Sequence, residues 1–186
     1  MAYYVEGLSS TWDLDQGGDL IERGAYRRTL EHWSRRRSDR PIPLVDTHDY
    51  SSIRRIIGHL VDAAERAEGL WTRFKLIDGD EAAEAAYRRF DAGAITGLSV
   101  GYSVVRQRAP NTEERAAGIR RVLLELKLSE VSAVTFPMNS AAVITRLTSG
   151  AKTRFLILEK VQAQAERARV DKARQAVERT LSRRRA

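Results

Sequence analysis

The sequence predicts a mainly β domain with helices packed outside it, an α+β arrangement with a long C-terminal helix. Three observations carry that expectation. About seven short runs rich in β-branched and aromatic residues repeat with a period near two. Two stretches, ERGAYRRTLEHWSRRR and DEAAEAAYRRFDAG, carry their apolar residues at helical spacing. From Thr153 onward the chain has neither Pro nor Gly and is dominated by Ala, Arg, Glu, Gln and Val. Strands that outnumber helices in this way suggest a barrel or a strongly bent sheet.

In chain order, MAYYVEGLSS reads as a first strand, followed by the polar turn TWDLDQGGDL. The first helix places Tyr26, Leu30 and Trp33 on one stripe, and Pro41 and Pro43 end it. IPLVDTHDY is a short strand running into a loop. IIGHLVDAA and LWTRFKLI form two strands around ERAEG. In the second of these, Leu70, Thr72, Phe74 and Leu76 alternate with Trp71, Arg73, Lys75 and Ile77, which is strand period. The Ala-rich helix follows, with Gly93 at the position that ends a helix in left-handed geometry. The segment around Ser99 is a strand, APNTEERAAG a loop, and IRRVLLELKLSEVSAVTFP and SAAVITRL the last strands. These elements make a body over residues 1–150 and a basic helical tail over 151–186.

Composition narrows the function classes. The chain is 42% hydrophobic and 31% charged, without cysteine, so disulfides and thiolate metal sites are excluded. Three scattered histidines lack metal-site spacing, and no metal or cofactor is expected. No apolar run approaches the ~20 residues of a membrane span, and MAYYVEGLSS lacks secretory-signal character, so no membrane partner is expected. The net charge of +7 is concentrated in the tail, where 11 basic residues face 4 acidic ones, while the body carries 21 of each. Nucleic acid binding is therefore expected, if anywhere, through residues 151–186 only. The absence of aromatics after Phe155 favours a protein-targeting role for the tail over base stacking.

Gly97-Leu98-Ser99-Val100-Gly101 spells G-x-S-x-G, the nucleophile elbow of α/β-hydrolases. The elbow runs strand, serine, helix, with its histidine downstream. Here a helix precedes Ser99, a strand follows it, and His32, His48 and His59 all lie upstream, so that reading fails. Ser99 between two glycines is either a structural strand residue or a nucleophile in another fold.

His48 stands where a strand enters a loop, flanked by Asp46 and Asp49, which can orient an imidazole or cap a turn. His59 falls on a half-buried strand, and His32 on an arginine-rich helix face. Glu130 lies inside an apolar strand run, where an acid is costly unless paired or exposed. A carboxylate holding a histidine in the right tautomer is one such pairing. Glu125, in the same run, is its competitor.

Taken together, these residues resemble a family. GDLIERGAYRRTL, VDTHD with IGHL, EGLWTRFKL, FDAGAITGLSVGYSV and LSEVSAVTFPMNSAAVI follow one another in the order and spacing of the prohead serine proteases of tailed bacteriophages, across residues 5–146. The resemblance implies a fold similar to the herpesvirus capsid-maturation protease, a β-barrel of about seven strands ringed by helices. It implies a serine endopeptidase with Ser99 as nucleophile, His48 as base and Glu130 as third member. The implied substrates are scaffold and major capsid protein, and the chain itself by autocleavage of the tail. The implied setting is the assembling prohead in the host bacterial cytoplasm, as a homodimer or higher oligomer. The competing expectation is a catalytically inactive capsid-assembly or scaffold component.

Overall fold

The structure is a computed structural model that describes residues 2–36, 41–150 and 152–155. The expected terminal helix and most of the 151–186 tail lie outside the described residues.

Nine strands and three helices make the described body. They are β1 (Tyr3–Thr11), β2 (Asp19–Ile21), α1 (Arg27–Arg35), β3 (Pro43–Asp46), β4 (Ile56–Glu65), β5 (Gly69–Leu76), α2 (Glu81–Asp91), β6 (Gly97–Arg108), α3 (Thr112–Ala116), β7 (Arg121–Val134), β8 (Ile144–Ser149) and β9 (Lys152–Phe155). All strands join one sheet in the order β2-β7-β3-β4-β5-β1-β8-β9, with β6 paired to the other edge of β7. The fold is thus mainly β with helices, as the periodicity predicts.

β7 organises this sheet because it is 14 residues long. Its first part pairs in parallel with β2 and its last part in parallel with β3, both along one edge. Antiparallel β6 covers the opposite edge from Val122 to Val134. In β5 the expected alternation holds: Leu70, Thr72, Phe74 and Leu76 are buried while Trp71, Arg73 and Lys75 are half-buried. With Val5, Leu44, Leu98, Leu126, Val131 and Ile144 they form the core. Fully burying a side chain of this size stabilises by about 1.5–3 kcal/mol.

The helices close the core from outside. α1 buries Trp33, with Tyr26 at its start, and α2 buries Ala83 and Phe90. α2 is delimited as its sequence predicts. Asp80 caps its first turn through a 2.8 Å bond from the Ala83 N–H. Gly93, at φ 71°, ends it while its N–H donates to Phe90 O and that of Ala94 to Arg89 O.

Three elements differ from the sequence expectation. β2 overlaps the end of the expected polar turn, since three residues register as a strand only by pairing with β7. α3 replaces part of the expected loop, held by a capping box between Asn111 and Glu114. Thr153–Phe155, expected as the start of the long helix, belong to β9 because Gly150, at φ 56°, turns the chain back onto β8.

The strand ladder is open. Between β6 and the β1–β8 side there is an isolated bridge, Gly97 to Val143, where Leu98 N–H donates to Ala142 O and Ile144 N–H to Thr96 O.

Candidate active site

The site is assembled on the last third of β7. Cross-strand neighbours in a sheet project to the same face. Ser99 pairs with Ser132 and Gly101 with Glu130, so Ser99, Glu130 and Ser132 share one face. On the other edge of β7, Val45 of β3 pairs with Ser132 and Asp46 with Ala133. Ser99 and the loop that carries His48 therefore flank β7 at the same height, from opposite sides.

β3 ends at Asp46, and the chain folds back over β7 through two consecutive left-handed residues, Thr47 and His48, both at φ 54°. Such geometry costs a non-glycine residue about 1–2 kcal/mol, so it persists only where the surroundings hold it. Here Thr47 N–H donates to Ala133 O at 3.2 Å and His48 N–H to Ser132 Oγ at 2.9 Å. Farther along the loop, Arg55 binds both Asp46 (2.6 Å) and Asp49 (3.0 Å), and Asp49 accepts the Ser51 N–H. Of the two roles open to these aspartates, the structure shows loop capping.

The turn brings the His48 ring to Glu130, with Nδ1 2.7 Å from Oε1. The same oxygen accepts the Tyr50 hydroxyl at 3.1 Å, and Oε2 accepts the Ser132 hydroxyl at 2.7 Å. Glu130 is 1% exposed, and among the described residues His48 is its only ion-pair partner. The imidazole itself is 37% exposed. The hydrogen bond to Glu130 lifts the His48 pKa above the ordinary 6.5, partial burial opposes the rise, and the nearby charge of Glu130 reinforces it. Local desolvation of the hydroxyl, aided by Glu130, raises the Tyr50 pKa as well.

Gly101 makes room for this acid. A Cβ there would overlap the Glu130 carboxylate. The second glycine of the G-x-S-x-G string thus serves Glu130 rather than a hydrolase elbow. Gly97 is likewise closed to a side chain, whose Cβ would lie 2.7 Å from Val134 O and 2.8 Å from Pro137.

The three titratable competitors are accounted for. Glu125 pairs with the exposed Arg28 at 3.2 Å, while His32 and His59 lie exposed on α1 and β4. Sequence reasoning missed Tyr50 and Ser132. Their positions in THDY and EVS are the only sequence signal, since their role is a tertiary contact. Chemically, the arrangement offers an imidazole anchored through Nδ1, with Nε2 left for a hydroxyl or substrate.

The profile of the caudovirus prohead serine protease family matches residues 2–154. The prohead protease of Enterobacteria phage HK97 is 27% identical over 146 residues, 77% of this chain and 60% of that protein. The capsid polyprotein of Pseudomonas phage PAJU2 is 27% identical over 151 residues, 78% of this chain and 20% of that protein. The chain thus spans less than two thirds of either relative. Among solved structures, the bacteriophage T4 capsid assembly protease superposes with a TM-score of 0.55 at 17% identity, covering 72% of this chain and 82% of that one. That likeness is one of fold.

Proposed function

The chain belongs to the caudovirus prohead serine protease family, and from that premise we propose that it is a serine endopeptidase of phage head maturation. Ser99 is the nucleophile, His48 the general base and Glu130 the carboxylate behind it. The observation that carries this reading is the 2.7 Å bond between His48 Nδ1 and buried Glu130, one strand away from Ser99.

In the proposed reaction, the Ser99 hydroxyl adds to the scissile carbonyl as its proton passes to His48 Nε2. The electron pair moves onto the carbonyl oxygen, and Glu130 stabilises the imidazolium. Collapse of the intermediate expels the amine, which takes the proton back from His48 and leaves an acyl-serine. Water then repeats the sequence and frees the acid. The base must be neutral at the start, so the raised His48 pKa sets the lower edge of the active pH range.

The substrates are the scaffold and major capsid proteins, a reading supported by the description of one relative as a capsid polyprotein. The basic tail over 151–186 acts as a targeting segment, part of which autocleavage removes, inside a prohead assembling in the host cytoplasm, where the protease works as an oligomer. The proposed fold is a herpesvirus-protease-like barrel, a reading supported by the isolated bridge between Gly97 and Val143, two residues before Ser99.

Mass spectrometry of capsid protein co-expressed with wild type or Ser99→Ala tests the assignment. Processing of capsid protein and of the tail is expected only with wild type. Equal processing by Ser99→Ala would overturn it.

A further inference from the structure

Ser132 is fully buried, yet its hydroxyl joins two parts of the site. It donates to Glu130 Oε2 at 2.7 Å and accepts the His48 backbone N–H at 2.9 Å. It also stands opposite Ser99 on β6 and opposite Val45 on β3. From these contacts we infer that Ser132 is a positioning residue, holding the backbone of the base and the carboxylate behind it in one rigid frame. The inference rests on the protease reading above. It assigns Ser132 no contact with substrate, because a hydroxyl with no solvent exposure cannot reach a scissile carbonyl.

Thr47 and His48 both occupy left-handed geometry, and two hydrogen bonds to consecutive residues of β7 hold them there. One of those bonds is the Ser132 hydroxyl. Without it, the His48 N–H has no acceptor at that point, and the turn can relax toward commoner geometry. The ring then draws away from Glu130, which itself has lost the donor to Oε2. One hydroxyl thus controls the position of the imidazole and the orientation of its carboxylate. Among the described residues, the charged group acting on the ring is Glu130, the Tyr50 hydroxyl binds the same Glu130 oxygen, and Asp46 and Asp49 are bound by Arg55.

The test measures the rate at which a fluorophosphonate labels Ser99 from about pH 5 to 8, where histidine titrates. Ser132→Ala is expected to slow labelling about 100-fold, the scale of an ångström-sized misplacement. It is also expected to move the pH midpoint down toward the ordinary imidazole value, because the ring loses Glu130. Ser132→Thr keeps the hydroxyl and is expected to keep the midpoint, with a rate within about tenfold of wild type. If the alanine protein does not fold, Ser132→Cys, which keeps the shape with a weaker hydrogen-bonding group, is read in the same way. A wild-type rate and midpoint in the alanine protein would overturn the inference. So would equal losses in the alanine and threonine proteins with unmoved midpoints, which would make the effect one of packing. Wild-type protein that never labels at Ser99 would instead overturn the protease reading itself.

Discussion

Glu6 in β1 and Glu130 in β7 are both strand carboxylates withdrawn from solvent, at 3% and 1% exposure, yet they keep different company. Glu6 is flanked by Arg73 of β5 and Arg146 of β8, at cross-strand positions in register with it, 3.3 and 2.5 Å away. Guanidinium groups stay charged at any physiological pH, so these partners have no proton to exchange. Glu130 is held by an imidazole, a phenol and a serine hydroxyl. There the charge balance depends on one titratable ring that reaches solvent. Burial of an acid therefore does not by itself mark a functional site; the exchangeability of its partner's proton does.

The largest expected effect separates the two acids by outcome. Glu130→Gln is expected to lower proteolytic turnover about 10⁴-fold, as for a triad whose histidine has lost its carboxylate. Glu6→Gln is expected to leave turnover per folded molecule near wild type and to lower stability instead. Breaking a buried ion pair costs about 3–5 kcal/mol. Both arginines are 34% exposed, so a smaller loss of about 1–3 kcal/mol is expected in denaturant titration. A large activity loss from the Glu6 variant in folded protein would break the distinction.

Next in size is Gly101→Ala, whose methyl group would occupy the space of the Glu130 carboxylate. Turnover is expected to fall at least about 100-fold through displacement of the carboxylate that positions the base, checked by kcat on a mapped cleavage peptide. Full activity in this variant would mean that Glu130 does not need its observed position.

The pH profile gives a smaller, signed effect. Because the folded pKa of His48 is raised, wild-type activity should climb with pH through a midpoint above 6.5. Glu130→Gln should move the residual activity's midpoint downward. The linked stability has the opposite sense: the His48 contribution is fully present below the unfolded pKa and is lost as pH rises through the folded one.

Smallest of all is Tyr50→Phe, which removes the 3.1 Å bond to Glu130 from a side chain 67% exposed. A single such bond is worth about 1 kcal/mol, so turnover should drop about fivefold. A loss as large as that of Glu130→Gln would promote Tyr50 from support to participant.

Much of this was legible in the sequence, for physical reasons. The alternation in β5 and the glycine ending α2 are local signals, and both stand in the structure. Glu130 was legible because an acid in an apolar strand demands an explanation. Glu6 carries the same signal in YYVEGLSS, but its arginines come from residues 73 and 146, and local pattern cannot show them. The short β2 and β9 exist only through pairing with longer strands. The capping box of α3 was readable in NTEE, although a helix of five residues leaves no periodicity. The paired left-handed turn at Thr47–His48 had little sequence signal: histidine visits that geometry more than most residues, but β-branched threonine rarely does.

The measurement that bears most directly on the account is the mapped site and rate of fluorophosphonate labelling in wild type, His48→Ala and Glu130→Gln. The expected result is an adduct on Ser99 in wild type, with labelling slowed at least about 1,000-fold in both variants. An adduct on another residue, or a wild-type rate at Ser99 in His48→Ala, would contradict it.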